Sequence, residues 1–277
     1  MKFLIKQLFL FIFICSMTFS TWSIAETYTF GVVPQFDIRQ VTRIWQPILE
    51  EVSSRSGVTL KLSPSARIQE FEKEFENGNF DFAYMNPYHA LVANRVKGYQ
   101  PILNDHGKRL FGIIVVRKDS PISDITQIDG KKVVMPAPNA LGASLLPRSE
   151  FSNKFHIKPE ISYVRSHDSV YLNTAMGMAD AGGAVMATFK RQPKEVRDQL
   201  RILYKTGNVP KHPVTAHPRV PSEVVKRVQK AFLELGNSDK GKALLAKIPM
   251  KKIGPATLKD FKVLIDMGLE AFYVKKK

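Results

Sequence analysis

Apolar residues in the first part of the chain follow two alternating patterns. Residues 28–33 form a short apolar run of the strand type, whereas residues 38–56 repeat apolar side chains every three or four positions, as a helix with one buried face does. The alternation continues, and we predict strands at residues 58–62 and 80–84 and helices at residues 68–77 and 87–97. This order is typical of a mostly parallel sheet covered by helices.

A second α/β set follows an apolar strand that begins at residue 111. The patterns predict strands at 131–136, 160–164, 180–186 and 201–206, and helices at 141–153 and 168–178. Residues 212–221 are rich in proline, which indicates a stiff segment that crosses back to the first set. The tail from residue 221 shows helical periodicity, and we predict helices there and no strand.

The stretch DFAYMNPYHAL, residues 81–91, joins a predicted core strand to a predicted helix. Asn86 is a good N-cap and Pro87 suits the first helical turn. Tyr84 and Tyr88 flank that joint at the carboxyl end of the strand, where open α/β sheets bind ligands and where helix N-termini favour anions. A capped helix with two packed tyrosines accounts for the same pattern, and spacing does not decide between the two interpretations.

The first 25 residues have the features of an export signal. Lys2 and Lys6 precede an apolar run, and Ser23-Ile24-Ala25 offers the small residues that a signal peptidase needs. Cys15 lies inside this segment, so the predicted mature chain has no cysteine and must be stabilised by its core. We therefore predict a periplasmic protein that is released by cleavage after residues 1–25.

The net charge and the absence of several known motifs limit the classes of function that the chain could have. The net charge of +16 falls to +14 without the two signal-segment lysines, which indicates either an anionic partner or a solvated basic surface. No nucleic-acid motif, nucleophile elbow, P-loop or HExxH motif occurs. His212 and His217 have no further ligand at zinc-like spacing. We expect no catalysis, cofactor, metal or nucleic-acid partner.

Several motifs in this order resemble the phosphonate-, phosphite- and phosphate-binding periplasmic proteins of ABC transporters. They are TRIWQPILEEVSSRSGV, DFAYMNPY, VVRKDSPI, PAPNALGASLLP, RSHDS and GMADAGG. The resemblance implies an α/β, type II-like, two-lobed periplasmic binding protein fold with two crossover strands and C-terminal helices on the first lobe. Residues 26–112 and 214–277 would form that lobe, and residues 113–213 would form the second.

The same resemblance implies a binding loop in the second lobe. The hydroxyl-bearing triplet of the aminophosphonate binders falls on Ala140, Leu141 and Gly142, so the hydroxyls are lost and the backbone N–H groups are kept. Asn139 flanks this loop, and the histidine of the family is kept as His167.

Other family positions have changed. The two carboxylates that hold the amine of an aminophosphonate fall on Ala187 and His212, and two tyrosines fall near Arg67 and on Leu110, beside Phe111. Aminoethylphosphonate is therefore disfavoured, whereas phosphate, phosphite, another oxyanion or an organic ligand stays open. A guanidinium could bind an oxyanion through two hydrogen bonds, although an exposed arginine at a helix start explains Arg67 slightly better.

The resulting hypothesis is a monomeric solute-binding protein that closes on a small oxyanion and delivers it to the permease of an ABC importer. The alternative is a ligand sensor that reports to a membrane sensor kinase. Strand 111–117 and segment 206–215 would absorb the rotation. The candidate ligand-binding residues are Arg67, Tyr84, Asn86, Tyr88, Phe111, Asn139, Ala140, Leu141, Gly142, His167 and His212.

Overall fold

Two separate β-sheets organise the computed structural model, which describes residues 26–248 and 250–275. The predicted signal at residues 1–25 lies outside the described residues. In chain order the strands are β1 (Thr27–Val32), β2 (Thr59–Pro64), β3 (Phe82–Tyr84), β4 (Gln100–Asp105), β5 (Gly112–Arg117), β6 (Lys132–Met135), β7 (Glu160–Tyr163), β8 (Ala181–Val185), β9 (Leu200–Lys205), β10 (Val214–Ala216) and β11 (Ile253–Pro255). The first sheet has the order β11-β4-β10-β3-β1-β2, and the second has the order β7-β6-β8-β5-β9.

Helices cover both sheets. They are α1 (Ile38–Ser56), α2 (Ile68–Asn77), α3 (Pro87–Lys97), α4 (Leu146–Asn153), α5 (His167–Ala175), α6 (Met186–Phe189), α7 (Lys194–Arg197), α8 (Ser222–Asn237), α9 (Asp239–Leu245) and α10 (Val263–Asp266). Short 3₁₀ turns lie at Ile125–Ile128, Leu258–Phe261 and Leu269–Phe272, and a π turn at Leu141–Leu145 precedes α4. None of the helices described between residues 26 and 275 is long and apolar enough to cross a membrane.

The chain passes between the sheets twice, which gives the molecule two lobes. It leaves the first sheet after β4 to enter β5, and it returns from β9 to β10, which pairs antiparallel with β3 and β4. Leu110 and Val209 form an isolated bridge between the two connections. The predicted two-lobed α/β fold with two crossings is confirmed. The exact lobe boundaries stay predictions.

Local chemistry explains how the first lobe is built. The Asp37 side chain accepts a hydrogen bond from the Gln40 N–H at the start of α1, and Gly57 ends the helix in the left-handed conformation with φ of 70°. The buried face of α1 places Trp45 against Phe30 of β1, with ring centroids 5.4 Å apart. Phe30 also contacts Phe232 of α8, so a C-terminal helix packs on the first lobe as predicted.

Three short strands correct the sequence prediction. The tail was predicted to hold helices only, and this is wrong at Ile253–Pro255, which pairs with β4. The proline-rich segment 212–221 contains β10, and residues 100–105 form β4. These strands have only three to six residues, and two of them contain or end at a proline, so no clear period-of-two pattern marks them.

Candidate functional site

The joint between β3 and α3 carries the first group of candidate residues. The Oδ1 atom of Asn86 accepts a hydrogen bond from the His89 N–H at 2.8 Å, and Pro87 is the first helical residue. Asn86 is thus an N-cap, as its position predicts. Its Nδ2 atom donates to the carbonyl oxygen of Asn139 in the second lobe at 3.2 Å, so this side chain links the two lobes directly.

The loop between β6 and α4 forms the opposing wall. The N–H groups of Ser144 and Leu145 both donate to the Ala140 carbonyl, at 2.8 and 3.0 Å, and these are the first hydrogen bonds of the π turn. The N–H groups of residues 141–143 precede them. As in the first turn of any helix, such N–H groups have no partner within the turn. They form a row of donors that favours an anion.

Glycines allow this loop to approach the second sheet closely. A Cβ atom on Gly112 would overlap the carbonyl oxygen of Gly142, and one on Gly183 would overlap that of Ala143. A Cβ atom on Gly142 itself would lie 2.7 Å from Cγ1 of Val185. The loop backbone therefore rests directly on β5 and β8, and its position is fixed by packing.

His167 is the first residue of α5 and lies beside this loop. The Ser166 side chain caps the helix by accepting a hydrogen bond from the Ser169 N–H at 3.0 Å. The side chain of His167 is buried, with the residue 5 % exposed, and its Nδ1 atom has no hydrogen-bond partner within the described structure. Burial lowers the pKa of His167 to about 4, so the imidazole is neutral at neutral pH. Ser144 Oγ is likewise buried without a partner.

His212 faces the cleft from the first lobe. Its ring stacks on Tyr84 with centroids 5.3 Å apart, and its Nε2 atom lies 3.4 Å from Nε2 of Gln35. Burial lowers the pKa of His212 to about 3, with smaller effects from nearby cations and histidines. The Tyr84 hydroxyl donates to the Ile248 carbonyl at 3.4 Å, and burial raises its pKa.

These residues enclose a small space that we call the interlobe cavity. Its volume is about 20 Å³, close to the least that holds one water molecule. None of the described residues around it carries a formal charge at neutral pH, since both histidines are neutral. Six of the candidate residues line it, namely Asn86, Ala140, Leu141, Gly142, His167 and His212.

The other candidates lie elsewhere. Tyr84 stacks on His212, and the Asn139 side chain is hydrogen-bonded to the backbone of Val274. Arg67 is an exposed residue at the start of α2 and pairs with Glu70 at 3.1 Å. The Tyr88 hydroxyl donates to Glu270 at 2.9 Å, away from the cavity. Phe111 is half-buried and packs in the core of the second lobe.

Several lining residues were not predicted from the sequence. Val33, Pro34 and Gln35 follow β1 and line the cavity together with Leu110. The rule that places ligands at the carboxyl ends of strands applies to β1 as it does to β3, and would have identified the first three. The resemblance places a family tyrosine at Leu110, but this residue is not among the candidates, because a leucine there offers no polar group to a ligand.

The family assignment agrees with this architecture. Residues 30–261 match the family model described as the periplasmic substrate-binding protein of ABC phosphonate transporters. The chain belongs to this family. Its members are substrate-binding proteins rather than enzymes, and the match supports a periplasmic transport component over a sensor for a membrane kinase.

Individual relatives are distant. The phosphonates-binding periplasmic protein of Escherichia coli is 18 % identical over 238 residues, which cover 80 % of this chain and 70 % of the relative. A binding protein of a phosphonate ABC transporter from Pseudomonas aeruginosa superposes with a TM-score of 0.79 at 15 % identity, covering 90 % of this chain and 88 % of the other. PhnD1 of Prochlorococcus marinus in complex with methylphosphonate gives the same score and identity, with 89 % and 98 % covered. These structural likenesses show the fold.

Proposed function

We propose that this protein captures a small oxyanion of the phosphonate, phosphite or phosphate class in the interlobe cavity and delivers it to the permease of an ABC importer, without catalysing a reaction. The observation that carries this proposal is the set of unpaired polar groups on the second-lobe wall. His167 lines the cavity, and its Nδ1 atom is buried without a partner beside the N–H groups of residues 141–143. Ser144 Oγ, next to the lining loop, is also buried without a partner. An oxyanion supplies several acceptor oxygens in one small group, and these can satisfy the donors together.

Neutral donors suffice for such a ligand. Hydrogen bonds to a charged group contribute about 1.5–3 kcal/mol each, more than those between neutral groups. The N–H row also lies at the start of a helical turn, where the partial positive charge favours an anion. A neutral His167 can place either a donor or an acceptor at Nδ1, so it can pair with an ionised or a protonated ligand oxygen.

The same cavity disfavours an amine-bearing ligand. No carboxylate is present among its described lining residues, and the two family carboxylate positions are occupied by Ala187 and His212. Burial keeps His212 neutral, so it cannot replace a negative charge. We therefore propose that aminoethylphosphonate binds more weakly than a phosphonate without an ammonium group.

Ligand entry requires the lobes to separate, because the interlobe cavity is far smaller than an oxyanion with its first water shell. The two connections, residues 106–111 and 206–213, are the segments that can absorb the rotation. A ligand bonded to both walls then stabilises the closed form through its higher affinity for that form. We further propose that the exported protein is monomeric and is cleaved after Ala25, which light scattering and N-terminal sequencing test.

Isothermal titration calorimetry tests the binding function. Phosphate, phosphite, methylphosphonate, aminoethylphosphonate and sulfate are titrated into the purified protein, its His167→Ala variant and a control, His106→Ala, which alters a histidine outside the cavity. At least one phosphorus oxyanion should bind, and His167→Ala should weaken it by about tenfold or more while the control does not. Failure of all five anions to bind would overturn the proposal.

A further inference from the structure

A second cavity adjoins the first and has a different chemical character. The two share Val33 and Gln35 in their walls, so they are direct neighbours. This adjoining cavity is closed on the first-lobe side by Trp45 and Tyr84, whose rings lie 4.8 Å apart, and on the second-lobe side by Ala187. Most of its remaining wall consists of valine and isoleucine side chains.

The charges around the adjoining cavity are positive. Arg191 reaches from the second lobe and lies over the Phe36 ring, with its guanidinium carbon 4.6 Å from the ring centroid. Arg191 also donates a hydrogen bond to the Lys247 carbonyl, and both residues line the cavity. No carboxylate is found among the described lining residues. An ammonium group would meet repulsion there, whereas an alkyl group would meet apolar and aromatic surface.

The geometry points to a ligand with two parts: an oxyanion head in the interlobe cavity and a short, uncharged alkyl substituent in the adjoining cavity. This assignment rests on the proposed function and makes it more specific, since it selects short alkylphosphonates over inorganic phosphate and over aminoalkylphosphonates. Burial of one methylene group in such an environment tightens binding about fourfold. The adjoining cavity has a volume of about 20 Å³, like the interlobe cavity, which limits the gain to one or two carbon atoms.

A titration series tests the assignment. Phosphate, methylphosphonate, ethylphosphonate, propylphosphonate, 2-aminoethylphosphonate and phosphonoacetate are compared on the purified protein, on Ala187→Leu and on the control Ala66→Leu, which adds the same bulk at an exposed site. We expect affinity to rise about fourfold from methylphosphonate to ethylphosphonate and not to rise further with propylphosphonate. Ala187→Leu should remove that gain and leave phosphate binding unchanged, and Ala66→Leu should change neither.

The outcomes separate this inference from the proposed function. If no ligand of the series binds, the proposed function itself fails. If phosphate binds and affinity falls with each added carbon, the oxyanion site stands and the alkyl assignment is overturned. Tighter binding of phosphonoacetate than of ethylphosphonate would also overturn it, and would assign Arg191 and Lys247 to a ligand carboxylate instead.

An independent observation concerns residues 269–275, which we call the C-terminal strap. The Asn139 side chain makes two hydrogen bonds with the backbone of Val274, one from Nδ2 to the carbonyl and one to Oδ1 from the N–H, both at 2.9 Å. Arg148 donates to the carbonyl oxygen of Phe272. The strap is therefore bonded to the second-lobe loop on both sides of residues 141–143.

The other side of the strap is bonded to the first lobe. Glu270 accepts hydrogen bonds from the Tyr88 hydroxyl at 2.9 Å and from Arg95 at 3.1 Å, both on α3. The same α3 begins at Asn86, whose side chain donates to the Asn139 carbonyl. The strap thus ties α3, through Tyr88 near its start and Arg95 in its last turn, to the loop on the opposite wall.

We infer that the strap is a positioning element that stabilises the closed arrangement and slows ligand release. It joins the two lobes through groups that do not line the cavity, so its effect is on opening and not on direct ligand contacts. Since Glu270 and Arg95 are half exposed, each contact contributes modestly.

Exchange and dissociation kinetics test the strap. Glu270→Gln removes the negative charge of the strap residue that accepts the hydrogen bonds from α3. The control, Glu234→Gln, removes the charge of an exposed glutamate that pairs with Lys230 on one face of α8. Glu270→Gln should speed amide hydrogen exchange of residues 141–146 and ligand dissociation about two- to fivefold. Glu234→Gln should change neither. Unchanged exchange and dissociation in Glu270→Gln and in Tyr88→Phe would overturn the inference.

Discussion

The two walls of the interlobe cavity differ in how their polar groups are satisfied. On the first-lobe wall, Asn86 caps its own helix, and His212 lies near Gln35 and stacks on Tyr84 behind the wall. The Tyr84 hydroxyl is itself bonded to a backbone carbonyl. On the second-lobe wall, His167 Nδ1 has no partner among the described residues, and neither has Oγ of Ser144 next to the lining loop.

This difference indicates which wall recognises the ligand. A buried polar group without a partner costs about 1–3 kcal/mol, and a ligand that supplies the partner recovers that free energy. The first-lobe groups have already made their hydrogen bonds or ring contacts, so they shape the cavity and stabilise the lobe. Changes in the second-lobe wall should therefore alter affinity, whereas changes in the first-lobe wall should alter stability first.

Displacing the second-lobe loop should have the largest effect on the difference between the two walls. Gly112→Ala places a Cβ atom against the carbonyl oxygen of Gly142, and a backbone group cannot move aside as a side chain can. We expect the free energy of unfolding to fall by about 3 kcal/mol and oxyanion binding to be lost. Urea denaturation and calorimetry measure the two effects.

Gly207→Ala is the matched control for that variant, because its Cβ atom would meet only the end of the Glu150 side chain, at 3.3 Å. Near-normal stability and binding in Gly112→Ala would show that the loop is not held by this close approach.

A smaller change concerns the apolar contact between the walls. Leu141 is 2 % exposed and packs with Leu145 and Leu146 in the core cluster of the first lobe. Leu141→Ala should lower stability by about 2 kcal/mol, in the lower part of the range for buried leucines, and should favour the open form without ligand. Small-angle scattering would detect the larger radius of gyration. Leu172→Ala, at a 44 % exposed position, should change neither quantity, and equal behaviour of the two variants would contradict the assignment.

Local chemistry explains why part of this site could be predicted. Asn86 and Pro87 define a helix start by themselves, because an N-cap and a first-turn proline act on their immediate neighbours. The periodic apolar face of α1 likewise indicates its helix. The resemblance then located the loop at residues 140–142 and His167, both of which line the interlobe cavity.

Tertiary contacts explain why the remaining features of the fold and the site could not be predicted from the sequence. Gly112 lies against Gly142, which is 30 residues further along the chain. No local sequence pattern in either segment predicts this contact. Ile253–Pro255 forms a strand because its backbone pairs with β4 at the edge of the first sheet. Spacing left Tyr88 open between a cleft residue and a packed tyrosine, and its hydroxyl is bonded to Glu270 of the C-terminal strap, far along the chain.

Lowering the pH should destabilise the folded protein through the two cavity histidines, one on each wall. Their folded-state pKa values are lowered to about 4 for His167 and about 3 for His212. The unfolded chain, with an ordinary histidine pKa near 6.5, therefore takes up protons first. The stability that neutral histidines provide is complete above about pH 6.5 and is lost as the pH falls towards these folded-state values.

Urea denaturation at pH 7 and pH 5 measures this effect. The loss at pH 5 should be about 1–2 kcal/mol per histidine, and His212→Gln should reduce it, whereas His106→Gln, outside the cavity, should not. A pH dependence that is identical in both variants would contradict the burial of a neutral imidazole at position 212.

The smallest expected effect belongs to Arg67, which the sequence offered as an oxyanion ligand. Its side chain is 54 % exposed and pairs with Glu70 at the surface. Surface pairs of this kind contribute about 0–1 kcal/mol, so Arg67→Gln should change stability by less than about 0.5 kcal/mol and affinity by less than about twofold. Calorimetry and thermal unfolding check both. A tenfold loss of affinity would mean that the guanidinium turns into the cleft when ligand binds, and the first-lobe wall would then carry a charged recognition group after all.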